Sequence, residues 1–299
     1  MAKTVIQSFK DFSSNLEITD LQSTIVANCR RNVTTKIGKV LELHPEGSKV
    51  IGSWARNTLT RRLSEADVDV MVILHHGKNL GWVDSAGATK ALDKFKDILQ
   101  KAYPSTTMRR DVNCITMKLS NFRLDVVPAF KYTGVNGSAD YYVIPDSVRN
   151  QWVPTDPFTF ASWMTAVNTR MNGKFKPLIK MVKAWNRHQG WPIRSLHLEA
   201  MLYYHFKNYE RDYTMDSMLK VFFDSLPNYL LQACYEPVKK DRLDDYLDTS
   251  SKRTRIGAYN KAKKAAEASS NALAWSALSQ VNAINTWKIL LGEFYPNYG

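Results

Sequence analysis

The stretch Ala66-Asp67-Val68-Asp69-Val70-Met71-Val72-Ile73-Leu74 alternates two acids with valines and then runs apolar. A β-branched run of this kind reads as a buried strand, in which successive side chains point to opposite faces. Asp67 and Asp69 then share one face, and Val68 and Val70 share the other. Two neighbouring carboxylates repel, so a strand does not place them together without compensation. A divalent cation is the usual compensation. Magnesium suits the role because it takes its remaining ligands from phosphate and water. A lone Asp-x-Asp is common, and the segments on either side decide its meaning.

Upstream, Lys49-Val50-Ile51-Gly52-Ser53-Trp54-Ala55-Arg56-Asn57-Thr58 reads as a short strand that breaks at Gly-Ser and opens a helical turn. A glycine there lets backbone approach a phosphate, to which the following amides and the serine hydroxyl can donate. Downstream, Phe122-Arg123-Leu124-Asp125-Val126-Val127-Pro128-Ala129-Phe130 reads as another apolar strand with one acid, Asp125. Three carboxylates on neighbouring strands form the kind of set that two-metal phosphoryl transfer uses.

Gly52-Ser53, Asp67-x-Asp69 and Asp125 followed by Val-Val-Pro-Ala resemble the polymerase-β nucleotidyltransferase superfamily. Gly-Ser-x-x-Arg-x-Thr at 52–58, Ile144-Pro145-Asp146, Trp152-Val153-Pro154-Thr155-Asp156-Pro157 and Ser195-Leu196-His197-Leu198-Glu199 narrow the match. They resemble the CD-NTases, the cGAS/DncV-like nucleotidyltransferases of bacterial CBASS antiphage signalling. The resemblance implies an α+β fold, a polymerase-β-like mixed sheet with a helical lobe of the OAS/PAP kind. It places the catalytic lobe at 1–155 and the helical nucleotide-binding lobe at 156–299.

The resemblance also implies an enzyme that makes a cyclic di- or trinucleotide second messenger from nucleoside triphosphates, ATP among them, and releases pyrophosphate. Asp67, Asp69 and Asp125 are the expected catalytic residues and ligands of two magnesium ions, with manganese as the substitute. Asp125 is also expected to orient or deprotonate the attacking ribose hydroxyl. Gly52, Ser53, Lys180, Lys183 and Ser195 are the expected phosphate-binding residues, with Lys183 preferred over Lys180 by its spacing to Ser195. The implied partners are an effector switched on by the cyclic product and an E1/E2-like enzyme that conjugates Gly299. Phe294–Gly299 is expected to form an exposed, flexible tail for that purpose, because Gly292 stops the last helix and Pro296 prevents its resumption. A template-independent tailing transferase and a nucleic-acid-activated sensor are the alternatives on the same scaffold.

Composition fits an enzyme of this kind. The 299 residues, 44% of them hydrophobic, can bury one or two substantial cores. No apolar run approaches the roughly 20 residues of a membrane helix, and no signal-peptide pattern opens the chain, so a cytoplasmic protein away from membranes is expected. Cys29, Cys114 and Cys234 are scattered, which argues against a disulfide scaffold and against the zinc insert of the animal cGAS branch. The formal charge of +13 attracts polyanions. It does not separate one long polyanion from a few short ones. Because the charge is spread and no nucleic-acid-binding signature occurs, a monomer active without nucleic acid is expected.

Along the chain, a long helix is expected over about 21–43, capped by Asp20 and stopped by His44-Pro45-Glu46-Gly47. Another is expected at 88–102, with strands near 49–52, 67–74, 106–111, 113–119, 122–130 and 140–144. His75-His76 reads as a solvated turn. Helices are expected at 158–170, 177–189, 196–209, 214–233 and 258–291. Lys176, Lys180, Lys183 and Arg187 recur at helical spacing opposite an apolar face of Leu178, Ile179, Val182 and Trp185. His197 and Glu199 are expected to hold the fold. The family stacks the donor base on an aromatic ring, but Leu196 stands where cGAS has tyrosine. Tyr141, Tyr142, Trp152 and Tyr203 are therefore the aromatic candidates, and Asn172 is a hint of pyrimidine choice.

Overall fold

The structure, a computed structural model, describes residues 2–83, 87–134, 140–210 and 213–299. Two compact units divide it: Ile18–Thr159, which carries the sheet, and Met1–Glu17 with Phe160–Gly299, which is helical.

The sheet unit contains α2 (Asp20–Gly38), β1 (Leu43–Ile51), α3 (Gly52–Ala55), β2 (Asp67–Leu74), α4 (Gly87–Ala102), β3 (Thr107–Arg110), β4 (Ile115–Lys118), β5 (Arg123–Tyr132), β6 (Tyr141–Asp146) and β7 (Gln151–Thr155). Its strand order is β1-β2-β5-β4-β3. β2 and β5 run parallel, whereas β1, β4 and β6 pair antiparallel with their neighbours. Along one edge of β5, residues 123–126 pair with β4 and residues 130–132 with β6. Val68, Val70, Val72 and Leu74 of β2 pack with Leu124 and Val126 of β5 under Val26, Val33 and Ile37 of α2 and Leu92, Phe95 and Leu99 of α4. Each such side chain contributes about 1.5–3 kcal/mol of burial, which locks the period-two register. On the opposite face Met71, Ile73, Ala129 and Tyr142 form a small cluster with Ile51, Ile144 and Phe158. The acids stand on that thinly covered face.

Several expected boundaries shift. α2 is capped by Thr19 rather than Asp20, in a capping box with Gln22, and it ends at Gly38. His44-Pro45-Glu46-Gly47 lies inside β1, where the register breaks between Leu43 and Ser48 and tolerates the proline. The expected 258–291 helix is two helices, α10 (Arg255–Leu278) and α11 (Gln280–Leu291), parted by Ser279, which leaves helical geometry and caps α11. β7 is an additional strand. His75-His76 is a turn, but a half-buried one, with His76 sharing a 3.1 Å hydrogen bond with Tyr132.

The helical unit differs most from expectation. Residues 1–17, assigned above to the catalytic lobe, belong to it instead. Their helix α1 (Val5–Leu16) buries Val5, Phe9, Phe12 and Leu16 at i, i+4, i+7, i+11 spacing. The remaining elements are α5 (Thr159–Arg170), α6 (Phe175–His188), α7 (Ser195–Phe206), α8 (Met215–Leu230), α9 (Tyr246–Thr249), α10 and α11. Nor is Phe294–Gly299 a flexible tail. Tyr295 is fully buried, edge-on to Phe9 and Phe12 at ring separations of 5.2 and 5.3 Å, and Lys288 Nζ donates to its carbonyl at 2.5 Å. Ala2 bridges Tyr298, and Gly299 N donates to Ala2 O at 3.3 Å. Gly292 does end the helix, at φ +84. The three cysteines are free thiols. Among the described residues no helix is long and apolar enough to cross a membrane.

The docked C-terminus yields a stability prediction. Tyr295→Ala empties an aromatic site shared by α1 and α11, so urea unfolding should show a loss of about 3 kcal/mol. Tyr298→Ala, at an exposed position, should cost less than about 1 kcal/mol.

Candidate active site

Strand pairing assembles the site. β1 ends with Ile51 opposite Asp69, and β2 sets Asp67 opposite Arg123 and Asp69 opposite Asp125. The next residue after Ile51, Gly52, turns the chain at φ +67 into α3. A Cβ there would fall on Asp69 Oδ2 and lie 3.0 Å from its Cγ. Only glycine satisfies both the left-handed backbone and this close approach. Ser53 follows, and its carbonyl accepts from Thr58 N at 2.9 Å, which ties the turn to the fully buried Thr58. The structure thus brings together Gly52, Ser53, Asp67, Asp69 and Asp125.

The three acids differ in surroundings. Asp69 is pushed up to about 7, first by burial and then by the charges of Asp125 and Asp67, with Arg56 opposing. Asp125 is also raised, again by burial first, although Thr116 hydrogen-bonds it in the other direction. Its Oδ1 is buried with no hydrogen-bond partner. Nearby Cys114 is pushed up to about 12 by burial and by the Asp125 charge. Asp67 is half exposed and held by Arg123, whose Nη2 donates to Oδ2 at 3.1 Å while Nε donates to Oδ1.

A cation fits this donor set. An unsatisfied buried oxygen on Asp125 beside a carboxylate that resists ionisation asks for positive charge. Among the described residues, no three His, Cys, Asp or Glu side chains already close around one point. Magnesium does not require that closure, because one or two carboxylates with phosphate and water suffice.

The remaining expected residues lie in the helical unit. Lys180 and Lys183 are 2% and 6% exposed, so the basic stripe on α6 is not a solvated face. Lys180 Nζ donates to Glu17 at 2.7 Å, and Lys183 pairs with the fully buried Glu199. Glu199 lies one helical turn after Ser195, which opens α7. Lys183 is thereby drawn to the first turn of that helix. His197 is buried, shares a 3.2 Å hydrogen bond with Tyr246, and is pushed down to about 4 by burial, a structural role. Among the aromatic candidates, Tyr142 and Trp152 are committed to Glu46 and to the carbonyl of Trp82. Tyr141 stacks on Tyr132 and Tyr203 on Trp163, with 41% of Tyr141 and 39% of Trp163 exposed. Asn172 occupies a turn at φ +51. Glu17, Trp163 and Arg123 escaped the sequence reading. Arg123 alone left a signal, standing two residues before Asp125.

Two predictions follow from this geometry. Asp69 keeps its proton in the folded protein up to about pH 7, whereas an unfolded aspartate loses it near pH 4. The folded state therefore binds more protons in that window, and stability falls as pH rises through it. In EDTA, Asp69→Asn should match the parent near pH 4 and exceed it at about pH 8 by on the order of 2 kcal/mol in urea melts. Gly52→Ala must displace Asp69 or distort the turn. It should cost about 1–3 kcal/mol in urea melts and lower activity, and Gly52→Asn, which suits the positive φ but still carries a Cβ, should lower activity as well.

Comparison with known proteins bears on the family and the fold. The Second Messenger Oligonucleotide or Dinucleotide Synthetase domain matches residues 3–168. A probable cyclic nucleotide synthase of Bacillus cereus is 25% identical over 336 aligned residues, covering 100% of this chain and 99% of that one. The cyclic AMP-AMP-AMP synthase of an Acinetobacter species is 31% identical over 232 residues, covering 70% of this chain and 61% of the relative. Apo DncV of Vibrio cholerae shares the fold at a TM-score of 0.75 and 14% identity, covering 98% of this chain and 96% of that one. CdnC of E. coli MS115-1 with ATP does so at 0.70 and 16%, covering 97% and 98%. The chain belongs to the Second Messenger Oligonucleotide or Dinucleotide Synthetase family, the CD-NTase group of polymerase-β-like nucleotidyltransferases.

Proposed function

We propose that this synthetase joins nucleoside triphosphates on the acidic face of its sheet unit, with Asp67, Asp69 and Asp125 holding divalent cations. The product is a cyclic oligonucleotide of the CBASS type. One observation carries the reading: Asp69 and Asp125 face each other across β2 and β5 with a buried carboxylate oxygen left unsatisfied. Magnesium or manganese there, two ions in the full set, would neutralise charge on the attacking and leaving oxygens.

The chain's own residues do the rest. Burial raises the basicity of Asp125, which suits it to orient and deprotonate the attacking ribose hydroxyl. Gly52 and Ser53 bring backbone amides and a hydroxyl to the phosphates without a side chain in the way. In the helical unit, Ser195 at the α7 start and the Lys183–Glu199 pair one turn below it support a role for Ser195 and Lys183 with the donor phosphates. Lys180 is held apart by Glu17 and is the second choice. Among the aromatic candidates, the exposed face of Tyr141 and the Tyr203–Trp163 stack, with Trp163 39% exposed, offer surfaces for a base.

Purified protein incubated with labelled nucleoside triphosphates and magnesium should yield a small, phosphatase-resistant product, without nucleic acid. Extension of an RNA primer instead would favour the tailing reading. Asp69→Asn and Asp125→Asn should each lower the rate about 1,000-fold while circular dichroism stays unchanged. A normal rate in the Asp69 variant would falsify the assignment.

A further inference from the structure

Arg123 stands two residues before Asp125 and directly opposite Asp67 in the β2–β5 register. Its guanidinium forks onto Asp67, with Nε on Oδ1 and Nη2 on Oδ2. A bidentate fork engages both oxygens of a carboxylate at once and fixes its plane. Arginine also stays charged at every working pH, so the contact does not lapse by deprotonation. Asp67 therefore already has a counter-ion, whereas Asp125 has a buried oxygen with no partner. The pair is exposed, with 53% of the Arg123 side chain and 48% of the Asp67 side chain accessible. Such a pair is weak enough to exchange for a stronger cation.

We infer that Arg123 is a positioning residue that competes with the divalent cation for Asp67. The inference rests on the reading of the three aspartates as metal ligands. Asp67 cannot offer both oxygens to a cation while the fork is closed. Asp69 and Asp125 thus form the standing part of the donor set, and Asp67 joins when the guanidinium yields at least one oxygen. A guanidinium released on the acidic face is well placed to pair with phosphate, since bidentate pairing suits phosphate as it does carboxylate. Nucleotide should then aid metal binding by drawing Arg123 off Asp67, an effect that needs no movement of the backbone.

The test is manganese binding without turnover, read by the EPR signal of free Mn²⁺ and by thermal shift, with and without a non-hydrolysable ATP analogue. Arg123→Gln should bind Mn²⁺ about threefold to fivefold more tightly than the parent without nucleotide, the range expected for removing an exposed ion-pair competitor. Arg123→Lys, which cannot fork, should fall between them. The tightening produced by nucleotide should shrink in Arg123→Gln, and Asp67→Asn should erase the difference between arginine and glutamine at 123. Equal or weaker Mn²⁺ binding by Arg123→Gln, with Asp69→Asn abolishing binding, overturns the competition alone. Unchanged Mn²⁺ binding in Asp69→Asn overturns the metal reading and this inference with it.

Discussion

Mutual repulsion among three carboxylates on one sheet face is the constraint around which the sheet unit is built. Asp69 is desolvated by burial and also feels both neighbours, and it resists ionisation until about pH 7. Such a cluster costs free energy in the folded state, and that cost is supported by the far side of the same strands. There Val68, Val70, Leu124 and Val126 are sealed under α2 and α4. A one-residue slip of β2 would send Asp67 and Asp69 into that apolar layer and the valines to solvent. Function and register are therefore enforced by the same alternation. The layer over the acidic face is thin enough to leave Asp67 half exposed, while Asp69 is largely desolvated and the Oδ1 of Asp125 lies buried beneath it.

Much of this is legible in the sequence. The Asp67–Leu74 strand, the Gly52 break and the Asp125 strand all follow from local pattern, because a period-two alternation and a glycine at a turn are local facts. Setting Asp125 on a strand beside Asp67 and Asp69 is less local; the chemistry of a three-acid set suggests it, and the motif resemblance supports it. What escaped was long-range. α1 has a plain i, i+4, i+7, i+11 apolar face, yet nothing in residues 5–16 says which distant helices bury it. Tyr295 looked like part of a tail because Gly292 and Pro296 break helices, and breaking a helix says nothing about whether the following segment docks. The Ser279 break in the alanine-rich stretch was hidden because serine tolerates a helix interior, while its capping role depends on the turn it adopts.

The discontinuous helical unit has a folding consequence. Its N-terminal segment, Met1–Glu17, is separated by the entire sheet unit from Phe160–Gly299. Phe9 meets Trp287 at 5.2 Å between ring centres, and Ala2 meets Tyr298. Contacts of that sequence separation are gained only after a long loop is closed, so they form late. The sheet unit is contiguous and can organise its β1-β2-β5 core first.

Ion pairing holds cations in place within each unit. The chain carries thirteen more basic than acidic side chains, but its best-placed lysines in the helical unit are not loose surface cations. Lys183 is almost wholly buried against the buried Glu199, while the buried Lys180 reaches out to a Glu17 that is 47% exposed. A buried ion pair gains little net stability, since desolvation offsets most of the attraction. Its value lies in holding an ammonium at a fixed place. The same logic governs Arg123 on Asp67, at a solvent-exposed position where the pair is easier to exchange. In both units, then, a cation stands beside a carboxylate. The exposed Arg123–Asp67 pair is the one whose partner can be replaced at small cost, whereas the Lys183–Glu199 pair, buried on both sides, is not.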